Sequence, residues 1–158
     1  IASMALEKEA INYNASVTKV EAANVLAQID GAQQKLWEQD VSQNTELVLT
    51  VPPRFYMLLR GKLTALDTDN TGRITNGKVG RYGGIVVKMS NNVATSGSGA
   101  NDHIMLRTRR AIAFARPMIH IEPYRPEKKF GDAIKGFVLY QSKIVRPKEM
   151  IVLNVKYS

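Results

Sequence analysis

The chain has 158 residues, 44 % of them hydrophobic, no cysteine and a formal charge of +8. That length bounds it to one domain, or one compact lobe with an extension, large enough to bury a core; the lack of cysteine excludes disulfides and thiol catalysis and fits a reducing compartment. The longest apolar runs, "FYMLL", "GIVV" and "FVLY", are too short to cross a bilayer, and the charged opening "IASMALEKEA" does not read as a secretory signal.

The surplus charge is uneven. Residues 1–103 hold ten basic and ten acidic side chains, whereas residues 104–158 hold twelve basic and four acidic. Such asymmetry points to an anionic partner, either nucleic acid or acidic surfaces on other protein chains, and equally to plain solubility.

In chain order, the first expected element is a short helix around "MALEKEAINY" (4–13). The stretch "TKVEAANVLAQIDGAQQKLWEQD" then predicts an amphipathic helix over roughly 19–39. Thr18 and Glu21 have capping-box spacing, in which the hydroxyl takes one free amide and the carboxylate reaches back to another. Ala22, Leu26, Ile29, Gln33 and Leu36 share one face, with Val25 and Trp37 beside them. "ELVLTV" (46–51) reads as a buried strand from its β-branched content. "PPRFYMLLRGKL" follows as a helix, with Pro53 in the first turn, where its missing amide costs nothing, and Phe55, Leu58 and Leu59 facing inward. Glycine-rich "GKVGRYGG" leads into a strand "IVVKMS", and polar "NNVATSGSGAND" reads as a surface loop. This alternation predicts a mixed α/β lobe up to about residue 103.

The remainder changes character. "MIHIEPY" alternates, with Ile119 and Ile121 on one face and His120 and Glu122 on the other. "PEKKFG" is a turn. "DAIKGFVLYQSKIVRP" and "EMIVLNVKY" each predict a long strand. Alternation fails at "FVLY", where both faces are apolar, which predicts cover on both sides. Gly136 and Pro147 mark a bend and an end.

Residues 67–78, "DTDNTGRITNGK", begin like a calcium loop, with Asp67, Asp69, Thr71 and Gly72 at the expected spacing. The twelfth position, which needs a bidentate Glu, is Lys78, and glycines with a strand follow in place of a second helix. Asp, Asn and Gly are what a tight turn requires, and a turn is the better reading. "TSGSGAND" lacks the Lys-Ser/Thr of a phosphate-cradling loop. His103 and His120, the only histidines, are too few for a metal cluster or a triad, and His120 is expected on an exposed strand face. Asp67 with Asp69, and Glu7 with Glu9, are paired carboxylates of the kind common on solvated surfaces. The chain therefore reads as a non-enzyme without metal or cofactor, the enzymatic alternative being a hydrolase with a hidden acidic site. "RTRR" (107–110) with Arg116 gathers four guanidinium groups. Phosphate contacts by them would be salt-sensitive and sequence-blind, but no aromatic stacking platform accompanies them. Ion pairs to neighbouring subunits explain them equally well.

The run "AIAFARPMIHIEPYRPEKKFGDAIKGFVLYQSKIVRPKEMIVLNV" resembles the final segment of tailed-bacteriophage major capsid proteins. The similar features are the turn region from Glu122 through Arg125 to Glu127, "KFGDAIKGF", and "YQSKIVRPKEM" with Arg146-Pro147. Ahead of it, "VEAANVLAQIDGAQQKLWEQDV", "LVLTVPPRFYMLLRGKL" and "GKVGRYGGIVVKMSNNV" follow the same family's order, so the resemblance runs from about Thr18 onward.

That resemblance implies an α+β, Hong Kong 97-like fold. Residues 1–17 would be a short amino-terminal helix or linker, residues 18–116 an axial lobe, and residues 117–158 the long antiparallel strands of a peripheral lobe. "DTDNTGRITNG" would join the axial helix to its next strand. The family's amino-terminal arm, extended loop and most of its spine helix would precede this region; the chain opens on Ile1, as a fragment or processed product would. The implied function is a structural subunit that self-associates into pentamers and hexamers around double-stranded DNA. The virion capsid, assembled in the bacterial host cytoplasm, is its implied location. Implied partners are other copies of itself, scaffold, portal or decoration proteins, and packaged DNA by non-specific contact, with no membrane. The interface candidates are Arg125, Glu127, Lys128, Lys129, Lys135 and Arg146, with Arg125 and Arg146 as ion-pair donors. A basic nucleic-acid-binding module is the alternative.

Overall fold

The computed structural model describes residues 12–13, 16–65, 74–75, 78–127 and 130–157. The expected first helix lies outside them except for Asn12–Tyr13, which form a strand (β1) beside a later one. Residues 67–73 and 76–77 of the turn segment also lie outside, as do Glu7, Glu9, Lys128 and Lys129. Around the turn segment, Ile74–Thr75 (β4) and Lys78–Val79 (β5) pair antiparallel.

Among the described residues two helices cover one mixed sheet. The first, Val25–Trp37 (α1), begins later than its periodicity predicts. Thr18–Val20 (β2) is extended, in parallel pairing with Met150–Tyr157 (β12), so the capping box does not form. Sheet hydrogen bonds offered by β12 satisfy this backbone better than a frayed first turn would. Asn24 closes the turn instead: its Oδ1 accepts from the Glu21 amide at 2.8 Å and its Nδ2 donates to the Lys19 carbonyl at 3.0 Å. At the other end Asp40 is left-handed (φ 64°), with Val41 N bonded to Leu36 O and Asp40 N to Trp37 O. This is a Schellman stop, and Val41 is buried beneath it.

Leu47–Val51 (β3) leads through Pro52 into Pro53–Ala65 (α2), as expected. Phe55 and Leu59 are fully buried and Leu58 partly so. Arg81–Tyr82 (β6) and Ile85–Met89 (β7) form a hairpin whose two-residue loop is Gly83-Gly84, at φ 53° and 82°. Two successive positive φ values define the type I′ turn, which side chains resist. The hairpin is tied to α1, where buried Gln33 donates to the Gly83 carbonyl at 3.0 Å and the Tyr82 hydroxyl lies 3.2 Å from Asp30. The stretch expected to be a loop is more ordered. Val93 and Ala94 are buried, and Thr95–Ser96 (β8) pairs with Asn101–Thr108 (β9).

The sheet order is β1-β12-β9-β3-β7-β6, with β2 also on β12 and β8 on β9. On its helical face Leu47, Leu49, Val51, Ile85, Ile104, Leu106, Ile151, Leu153 and Val155 pack with α1 and α2 into the main core. The opposite face carries a smaller cluster of Met105, Ala111, Ile144, Met150 and Val152. Alternation along β9 and β12 sorts the residues between the two.

Ile112–Tyr124 (β10) and Ala133–Ile144 (β11) leave this sheet as a separate antiparallel ribbon. The segment 117–158 carries strands of both the ribbon and the main sheet. Its first part completes the ribbon, and β12 returns to the main sheet, between β9 and the short strands β1 and β2.

Candidate subunit interface

At 3.3–3.4 Å per residue, strands of this length carry the ribbon roughly 40 Å. Cross-strand register fixes its two faces. After the bulge between Ala115 and Met118, His120 sits opposite Phe137 and Glu122 opposite Lys135, while Ile119 sits opposite Val138 and Ile121 opposite Gly136. The bulge places Arg116 and Pro117 where pairing lapses, and proline has no amide to offer there.

One face is apolar: Phe114, Ile119, Ile121, Ile134, Val138 and Tyr140 are all exposed, Ile134 to 80 %. Phe114 and Tyr140 meet diagonally across it, ring centroids 6.3 Å apart. The other face mixes Phe137 and Leu139 with charge. Lys135 bonds Glu122 and lies 5.2 Å from the Tyr124 ring, while His120 Nε2 stands 3.2 Å from Glu122 Oε2, with its ring against Phe137. The Lys135 ammonium, and then the His120 ring, hold the Glu122 carboxyl below the usual carboxylate range. Gly136 is required by close approach, because a Cβ there would lie 2.9 Å from the His120 carbonyl oxygen.

The expectation of cover around "FVLY" is not met within this chain. Phe137, Val138, Leu139 and Tyr140 are 51–57 % exposed. A two-stranded ribbon with both faces open is marginal in water by itself, and among the described residues neither outer edge is paired. Apolar patches of this extent mark contact surfaces.

The proposed ion-pair donors are engaged within the chain. Arg125 Nε bonds Asp132 at 3.2 Å across the ribbon tip, and Arg146 bonds Glu149 at 2.9 Å at its base. Lys135 bonds Glu122, and Glu127 is exposed near the tip. The "RTRR" guanidinium groups are also held: Arg109 by Glu46 at 2.8 Å, Arg110 by Glu149 at 3.7 Å, and Arg107 half-buried against the Thr108 carbonyl. Arg116 remains on the exposed ribbon. Sequence reasoning missed Glu149 altogether. Its side chain is 12 % exposed and accepts a hydrogen bond from the buried Thr108 hydroxyl. Burial alone would raise its pKa, but Thr108, Arg146 and Arg110 outweigh that and hold it below the usual carboxylate range. His103 is buried, its Nε2 3.1 Å from Ser96 Oγ. Among the described residues no three His, Asp or Glu side chains gather as a metal site would require, and no helix is long and apolar enough to cross a membrane.

Solved structures from phages superpose on this chain. The chain superposes on a structure from Mycobacterium phage Che8 with a TM-score of 0.76 over 96 % of this chain and 55 % of that one, at 23 % identity. For the capsid of cyanophage P-SCSP1u the score is 0.71, over 94 % and 54 % at 16 % identity. The mature capsid of bacteriophage PhiM1 gives 0.67, over 90 % and 51 % at 18 % identity. No family profile and no curated protein sequence matches the chain. The fold is therefore the α+β, Hong Kong 97-like capsid fold that the resemblance implies. The chain spans about half the length of these structures.

Proposed function

We propose that the chain is part of a structural subunit of a phage or prophage shell, in which copies associate into capsomers around double-stranded DNA. The main sheet with its helices would be the axial lobe and the ribbon the peripheral one, with the division moved from residue 116 to the two ends of the ribbon. The observation that carries this reading is the ribbon itself: it exposes apolar side chains on both faces, in a fold shared with capsid chains. A shell subunit needs elements that are completed only on neighbouring polypeptide, through head-to-tail contacts that close into rings. Arg125, Glu127 and Lys135 stand on the outer half of the ribbon, where the next copy would meet them. Scaffold, portal and decoration proteins, assembly in a bacterial cytoplasm, and the absence of catalysis belong to the same proposal. Sizing of the chain in solution, beside electron micrographs of the full-length gene product, tests it. Rings or shells are expected from the longer polypeptide, and a monodisperse monomer at every concentration would overturn the reading. A duplex-DNA titration at rising salt separates the basic-module alternative, which requires tight binding with a steep salt slope.

A further inference from the structure

We propose that Glu149 locks the ribbon to the lobe, and that removing its charge frees the base of the ribbon while the lobe stays folded. The chain enters the ribbon after Thr108 and leaves it before Pro147, and Glu149 holds both passages. It takes the Thr108 hydroxyl at the end of β9, Arg110 in the turn leading to β10, and Arg146 in the turn after β11. Gln39, Asp40 and Lys148 line the adjoining open cleft with Glu149.

Among the described residues the other contacts at this joint are few. The main core contains no ribbon residue. The base is held by the small cluster of Met105, Ala111, Ile144, Met150 and Val152, and by two backbone bonds, Val145 N and Arg146 N to the Ala111 carbonyl, at 2.9 and 3.3 Å. Arg110 and Arg146 are themselves more than half exposed and stay solvated without their partner; what the lobe loses is one shielded acceptor shared by the Thr108 hydroxyl and both guanidinium groups. Glu149→Gln keeps the size of the side chain but turns an amide toward two guanidinium groups. In a subunit whose ribbon carries the contacts, this joint sets the angle at which the next copy is met. Nothing in the lock depends on whether copies assemble.

Amide hydrogen exchange on the whole chain tests it. In Glu149→Gln, protection at Val145, Arg146 and the pairs Ile112–Ile144 and Ala113–Lys143 is expected to fall on the order of tenfold, while Leu49, Val51 and Leu106 keep theirs, the signature of a local opening. Thr108→Val should act in the same direction more weakly, and Thr108→Ser should restore wild-type protection. A uniform loss over β3, β9 and the ribbon base would make Glu149 an ordinary stabilising residue and overturn the lock, as would unchanged protection at the base. Should Glu149→Gln fail to fold, the Thr108 pair makes the same distinction.

Discussion

β9 and β11 flank β10 in sequence and have opposite surroundings. β11 is the more apolar of the two, yet nearly all of it is exposed, whereas β9 is buried through Asp102, His103 and the following apolar run. Both are well paired along their length. The difference lies in what stands above and below. Two helices and a second cluster sandwich β9, and nothing described covers β11. Hydrophobicity therefore states a need for burial without saying which polypeptide meets it. In the lobe the chain meets its own need; in the ribbon the need is left over.

Substitutions that separate the two regions should differ in kind as well as size. The largest effect is expected in the lobe: Phe55→Ala should remove about 3–5 kcal/mol of folding stability, read from urea denaturation, because the void forms in a packed core. Gly136→Val should cost about 1–3 kcal/mol, with exchange protection lost in the ribbon first, since its Cβ meets the His120 carbonyl. Replacing Gly84 by Ala, at φ 82°, should cost roughly 1 kcal/mol and be seen in the same denaturation curve. Acid should act at the junction. The folded pKa of Glu149 lies below its unfolded value, so its contribution is complete above the usual carboxylate range and is lost as pH falls through the folded value. Exchange protection at Val145 and Arg146 in Glu149→Gln should therefore converge with that of the wild type at low pH. Smallest for folding is Ile121→Lys in the ribbon, within about 0.5 kcal/mol, but self-association measured by sedimentation should drop.

Local features were legible from sequence. Pro53 opening α2, β3 ahead of it, and the paired glycines before β7 each rest on the chemistry of neighbouring residues. Thr18 to Val20 misled because its deciding partner, β12, is distant in the chain, and a capping box is no match for a sheet edge. The return of β12 to the main sheet was hidden for the same reason. "FVLY" was correctly read as apolar on two sides, but pattern alone does not distinguish covered from uncovered. Arg146 and Lys135 were picked out as charged positions; their intrachain partners, Glu149 and Glu122, follow only from register and turn geometry. Glu149, in "RPKEM", carries no signal that would separate it from a surface glutamate.

The place of β12 has a consequence for synthesis. It lies between β9 on one side and β1 and β2 on the other, joining the amino-terminal strands to the rest of the sheet. Among the described strands it is also the last to leave the ribosome, after both strands of the ribbon. A nascent chain consequently presents its stickiest surface before the scaffold that bears it can close. Long-range closure of this sort is slow and exposes intermediates to aggregation, so the interval before β12 emerges is when a chaperone would matter most.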